Sequence, residues 1–276
     1  MKTRRATMPE WCLGGLGLVM LLFLWARTGL TSETVATAAV LAIYVGGVWR
    51  TAPHSGCRLG INYGLVWAGY AGSSRIIAAL EIPRHSAQLL AADRLLFGET
   101  PSIAMSAFPQ AWVGELLSGA YLSYQLYLLW ALMDAGSRPE SWRASLNRGI
   151  FTAFAVGFAG YFLAPAASPY QAFPGLYGQP VSGAWITRTN ETLNAHLAAH
   201  YDAFPSLHVL ITLTLLAFDW RHDRRRFWFM IVPSFLMGVA TLALRLHYGV
   251  DLLAGVLLFA LLDVAESRHD QRMPLP

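Results

Sequence analysis

The sequence predicts an all-α integral membrane protein, a multi-span helical bundle whose active site faces outward. Three observations predict it. Hydrophobic residues make up 55% of the 276 and charged residues only 13%, with a mean hydropathy of +0.42, too apolar for a chain that must cover itself with polar groups in water. The apolar residues fall into about eight runs, most of them able to cross ~30 Å of hydrocarbon as helices rising ~1.5 Å per residue. The basic residues collect at alternate ends of those runs.

In order, the predicted spans are residues 11–26, 32–49, 61–80, 110–133, 149–164, 205–218, 227–246 and 249–265. The first two form an accessory N-terminal part (1–60), the next six a catalytic helical core (61–266), and 267–276 a cytoplasmic tail, all within one membrane domain, 1–276. Runs 149–164 and 205–218 are short, as suits helices that stop part-way through a bilayer beneath a site. With the N-terminus inside, fourteen of the twenty Lys and Arg residues lie on the cytoplasmic side, from Lys2, Arg4 and Arg5 through Arg221 and Arg224 to Arg226 and on to Arg268 and Arg272. Both termini are then cytoplasmic, and an inner or plasma membrane is the expected location. The formal charge of +4 is a topological signal, so no nucleic-acid partner is implied.

Met1 to Arg5 ahead of an apolar run has the start of a signal peptide, but Trp25-Ala26-Arg27 is a poor cleavage site, and the run is kept as a span. Cys12 and Cys57 fall near the reducing inner side and imply no disulfide. Residues 83–109 hold an interfacial amphipathic piece, Gln88 to Phe97, with Asp93 and Arg94 on its polar side. Residues 165–204 form a second long outer stretch with a helix over Asn190 to Tyr201, capped at Thr189 or Asn190. Arg75 and Glu115 lie at similar depth and are expected to pair. Tyr121, Tyr124 and Tyr127 have the spacing of packing residues.

The chemistry is concentrated in two segments 39 positions apart. His208 follows Pro205-Ser206-Leu207, and His247 opens His247-Tyr248-Gly249-Val250-Asp251, with a basic turn between two apolar runs. One membrane hairpin returns both imidazoles to the same face. Pro205 at the first helical position leaves the N–H groups of Ser206, Leu207 and His208 at an outward helix end that attracts anions, and His208 is placed there to protonate a leaving oxygen. His247, with Asp251 at i+4 accepting one ring N–H, has the pattern of a nucleophile and its orienting carboxylate. Arg245 supplies a fixed, forked cation for phosphate. A metal site on His208, His247 and Asp251 is the competing account, but it lacks a convincing fourth ligand; no metal or cofactor is expected.

Ala203-Phe204-Pro205-Ser206-Leu207-His208 and Arg245-Leu246-His247-Tyr248-Gly249-Val250-Asp251 resemble the second and third motifs of the phosphatidic acid phosphatase type 2 superfamily, closest to its inositol phosphorylceramide synthase-like branch. Leu163-Ala164-Pro165-Ala166-Ala167-Ser168-Pro169 is similar to that branch's Pro-rich loop, and Asp93 to Gly98 loosely so. The resemblance implies that His208 protonates the leaving group and His247 is the nucleophile. Two departures stand out: no lysine follows Lys2, and Ala240-Thr241 occupy the place where the phosphatase branch has Ser-Arg. Arg245 takes over that clamp, with Arg188 a weaker candidate.

The expected activity is therefore lipid phosphotransfer through a phosphohistidine, from a lipid phosphoester to a lipid hydroxyl. Hydrolysis with water as acceptor is the alternative. A transporter would need a polar path through mid-membrane, and an inactive scaffold would not need nucleophile, acid and carboxylate together.

Overall fold

The computed structural model describes residues 5–108, 110–178, 181–197 and 199–272, with 196–197 and 268–272 as backbone only. Lys2, Arg4, Pro109, Pro180 and the tail from 273 lie outside the described residues. The chain is 80% helical with no strand among them. Among the described residues twelve α-helices follow one another: α1 (Met8–Thr28), α2 (Ser32–Arg50), α3 (Gly56–Ala79), α4 (Ser86–Phe97), α5 (Pro101–Met105), α6 (Ala111–Asp134), α7 (Glu140–Leu163), α8 (Pro169–Ala172), α9 (Trp185–Leu197), α10 (Leu207–His222), α11 (Arg224–Ala243) and α12 (Gly249–Arg272).

Five of these segments, α1, α2, α6 with its 3₁₀ extension to Ser137, α7 and α11, are long and apolar enough to cross a membrane. The other three predicted spans differ for visible reasons. Helix α10 has 16 residues, about 24 Å at the helical rise, while α3 carries Arg58 and Arg75 and α12 carries Asp251 and Asp263. The surface is apolar where lipid would lie: Leu22 and Phe23 on α1, Phe229 and Phe235 on α11, and Leu257 and Leu261 on α12 are all more than half exposed, far more apolar surface than a soluble monomer shows.

Helix α10 sits at the centre, packed on α7, α11 and α12. The approach of α10 to α7 requires glycine at position 157, where a Cβ would stand 2.2 Å from Leu207 Cδ2. Two buried polar clusters near the basic ends tie helices together. Arg226 of α11 holds Asp219 of α10 through two bonds, Nε to Oδ2 at 2.8 Å and Nη2 to Oδ1 at 2.5 Å, and Tyr127 of α6 donates to the same carboxylate at 2.7 Å. Arg58 of α3 pairs with Glu10 of α1 at 2.8 Å, both fully shielded, and Asn62 carries the network on to Asn147 of α7. A buried pair broken on one side costs about 3–5 kcal/mol, so this pair anchors the N-terminal hairpin to the core.

Several expectations are corrected here. Helix α7 starts at Glu140, not 149, and is full length at 24 residues; Glu140, Arg143 and Arg148 made its first turns look like loop. Helix α9 begins at Trp185 rather than Asn190. Glu115 does not pair with Arg75. Its carboxylate accepts the N–H groups of Ala184, Ile186 and Thr187 at 2.7–2.9 Å, capping α9, because a helix start carries N–H groups in need of acceptors. Asp93 is not on a polar surface but fully buried. The predicted tail from 267 continues α12 as far as Arg272.

Candidate active site

Helix α11 ends at Ala243, and the chain then folds back on itself, with the N–H groups of Leu246 and His247 both donating to the carbonyl of Thr241 at 2.9 and 3.1 Å. Arg245, inside this turn, takes a left-handed φ of 65°, a strained conformation for a residue with a side chain. His247 is therefore on no helix. Asp251 is in the first turn of α12, and its carboxylate reaches back, with Oδ2 accepting Tyr248 N–H at 2.8 Å and lying 3.3 Å from His247 Nδ1. The two residues meet through a helix start, not along a continuous helix face.

A second carboxylate holds this segment from outside. Asp93 of α4 accepts Gly249 N–H at 3.0 Å and Val250 N–H at 2.8 Å, and the Thr100 hydroxyl donates to it as well. Position 249 must be glycine because a Cβ there would lie 2.6 Å from the Phe97 ring of the same α4. The leading N–H groups of α12 are thereby shared between two buried acids.

His208 stands in the first turn of α10, its Nδ1 3.2 Å from His247 Nε2. Its ring lies between Tyr121 and Tyr124 of α6, with centroids at 4.9 and 4.8 Å. Asp251, His247 and His208 thus form one continuous chain of contacts. A carboxylate can only accept, so Asp251 orders the His247 proton onto Nδ1 and turns the Nε2 lone pair toward His208. At 3.2 Å the imidazoles touch. Reacting atoms in a near-attack arrangement stand about 3–3.5 Å apart, so a phosphorus between them requires the two rings to separate.

Arg245 is 4% exposed, its Nε has no hydrogen-bond partner, and its guanidinium lies 4.7 Å over the Tyr177 ring. Among the described residues it is the buried arginine without a carboxylate, since Arg58 and Arg226 both have one. Asp202 is held beside the site by a 2.5 Å bond from the Tyr70 hydroxyl and by a short bridge to Ala166. Burial raises its carboxyl above the ordinary range, against the hydrogen bond from Tyr70.

Of the residues predicted from sequence, His208, His247 and Asp251 come together and Arg245 is buried in the turn two residues before His247. The other two residues predicted to bind phosphate lie differently from expectation. Ser206 is the N-cap of α10; its hydroxyl accepts Val209 N–H, its own N–H donates to the Asp251 carbonyl at 3.1 Å, and it is fully buried. Pro205 therefore precedes the cap, and Ser206 serves to lock α10 to α12. Arg188 sits on the exposed side of α9. Asp93, Tyr121, Tyr124 and Tyr177 were missed as site residues. For Asp93 a signal existed, an acid within an otherwise leucine-rich helix; the tyrosines are indistinguishable from packing until α10 is laid against α6. No group of three His, Cys, Asp or Glu side chains that could hold a metal is found among the described residues.

The described residues thus form an apolar helical bundle with an Asp–His–His chain at one end, Asp251 and His247 buried and His208 partly so. Residues 87–264 match the PAP2 superfamily, more than half of the chain, and the protein belongs to that superfamily, whose members are generally phosphatase-type enzymes. No curated protein and no solved structure matches the chain.

Proposed function

We propose that the protein is a membrane-embedded lipid phosphotransferase that works through a phosphohistidine, moving a phospho-headgroup from a phospholipid to a lipid hydroxyl in the manner of inositol phosphorylceramide synthases. The observation that carries this reading is the Asp251–His247–His208 chain, 3.3 and 3.2 Å between successive polar atoms. His247 Nε2 attacks phosphorus, the bond from phosphorus to the donor's alcohol oxygen breaks, and that oxygen takes a proton from His208. Asp251 supports the positive charge that develops on His247. In the second half the acceptor hydroxyl gives its proton to His208, its oxygen attacks phosphorus, and the N–P bond breaks. Arg245 offers charge to the non-bridging oxygens.

Hydrolysis, with water as acceptor, shares every step but the last. A single unpaired guanidinium suits a diester monoanion better than a monoester dianion, which favours transfer. The positive-inside pattern supports eight spans, both termini in the cytoplasm, and the histidines on the outer face; the basic clusters around Arg138 and Arg226 lie at the far end of α10 and α11 from His208. No step calls for a metal.

The test is incubation of purified protein with candidate phospholipids, with and without a long-chain alcohol, followed by mass spectrometry. Transfer predicts a phospho-headgroup on the added alcohol; release of only soluble phosphate or phospho-headgroup in the presence of that alcohol favours hydrolysis, and no turnover of any phosphoester refutes both.

A further inference from the structure

Between α3, α6, α7 and α10 lies a cavity of about 170 Å³. Tyr63, Trp67, Tyr124, Phe154 and Phe158 wall it, and His208 closes one end. In volume it compares with the ~150 Å³ apolar cavity that holds a benzene ring in another protein, so it admits a ring-sized stretch of hydrocarbon. Along α6 it runs from Tyr121 past Gln125 to Leu128, roughly 10 Å at the helical rise.

The two ends differ in chemistry. At the His208 end the lining is polar, with Asn190 and Asn194 of α9, the latter accepting from the Tyr121 hydroxyl at 3.4 Å. At the far end Val66 and Leu128 are apolar, and Gln125 donates to the Tyr63 hydroxyl at 2.5 Å, bridging α6 to α3. Trp67 and Leu122 remain partly exposed between α3 and α6, so the cavity has a side that faces the lipid. A polar head, an apolar tail and a lateral opening match an amphiphile with its hydroxyl at His208.

His208 lines this cavity and His247 does not. In an in-line displacement the nucleophile and the alcohol oxygen stand on opposite sides of phosphorus, and the general acid lies beside the oxygen. We propose that this cavity seats the first carbons of the alcohol, so that the donor's leaving alcohol and the acceptor alcohol occupy the same site in turn. The assignment of sides rests on His247 as nucleophile and His208 as acid. It places the choice of acceptor in α3 and α6, away from Arg245. The acceptor is a long-chain lipid alcohol, and its residence beside His208 keeps water from the phosphohistidine.

The test uses the full-length protein with His247→Ala, reconstituted in phosphatidylcholine nanodiscs, and a dodecanol bearing a diazirine near its hydroxyl. Without the imidazole there is no turnover, so binding is read apart from catalysis. Irradiation is expected to label peptides of α3 and α6 around Trp67 and Tyr124, and unlabelled dodecanol is expected to compete. Val66→Phe and, from the opposite wall, Leu122→Trp, each added to that background, are expected to reduce labelling by about tenfold, equivalent to ~1.4 kcal/mol of binding. Either variant, eluting as the parent does on size exclusion, suffices to decide. Labelling confined to the outer faces of α1 and α11, or undiminished in both variants, overturns the site. Labelling as expected alongside a wild-type protein that transfers no phosphoryl group would leave the alcohol site standing and remove the transferase reading.

Discussion

The carboxylate of Asp93 stands 3.0 Å from the amide nitrogen of Gly249, two residues after the proposed nucleophile and 156 positions away in sequence. Through this bond and its neighbour at Val250, α4 holds the start of α12, and with it the relation of Asp251 to His247. Asp93→Ala leaves two buried N–H groups and the Thr100 hydroxyl without their acceptor, at about 1–3 kcal/mol for each unsatisfied group. The expected outcome is a lower Tm together with a loss of kcat that Asp93→Asn, retaining one acceptor oxygen, restores in part. An unchanged Tm and kcat in Asp93→Ala would show that α12 needs no outside support.

His247→Ala is expected to abolish both turnover and the acid-labile phosphoprotein formed from a labelled donor, while the protein still elutes as a folded species. His208→Ala is expected to behave differently. Loss of a general acid costs about 10²–10⁴-fold with a poor leaving group and far less with an aryl phosphoester, from which the phosphohistidine should form and accumulate because its discharge lacks a base. Equal losses for both leaving groups would count against the acid role.

Arg245 is buried and makes no ion pair among the described residues, and the proposed reading gives it the phosphate as partner. Arg245→Lys keeps the charge but not the fork, and both it and Arg245→Ala are expected to lower kcat/KM, by roughly tenfold to a hundredfold, equivalent to ~1.4–2.7 kcal/mol of transition-state binding. Protection of the wild type, but not of Arg245→Ala, against thermal unfolding by orthovanadate or phosphate would report the same contact without turnover. Equal protection of both proteins would place the anion elsewhere.

Asp202 lies outside the membrane-spanning segments, and burial raises its pKa. The folded protein therefore holds this proton at pH values where the unfolded chain, with an ordinary aspartate near ~3.9, has released it. The stabilisation is full below that value and is lost as pH rises through the raised one. Asp202→Asn, whose amide oxygen still accepts from Tyr70, is expected to flatten the fall of Tm above about pH 4. A slope identical to that of the wild type would contradict the shift.

Activity is expected to survive EDTA, since each proposed step is carried by His247, His208, Asp251 or Arg245. Loss on chelation with recovery on adding a divalent ion would revive the metal reading of the same three side chains.

That the two histidines and Asp251 come together was legible because it depends on local patterns: Ser206-Leu207-His208 after a proline, and His247 four positions from Asp251. The errors share a cause. Asp93 and Glu115 were each read by their own neighbourhood, as surface acid and ion-pair partner, yet each, like Ser206, accepts from backbone N–H at a helix start. Glu115 caps α9, Ser206 caps its own α10, and Asp93 caps α12. Helix starts buried away from water must find acceptors, and for α9 and α12 those come from helices remote in sequence. Tyr121 and Tyr124 had helical spacing and no other mark; only their contact with His208 separates them from Tyr127, which packs against Asp219.

By itself the sequence determined the helical, apolar character of the chain, the family motifs and the three residues of the Asp–His–His chain, since composition and short spacing are properties of the chain alone. Only the tertiary structure decided which carboxylates hold the α12 start, that Arg245 is buried without an acid, and that an aromatic cavity opens at His208. Those depend on which helices lie side by side. That arrangement follows from close packing and from satisfying buried polar groups across the whole bundle.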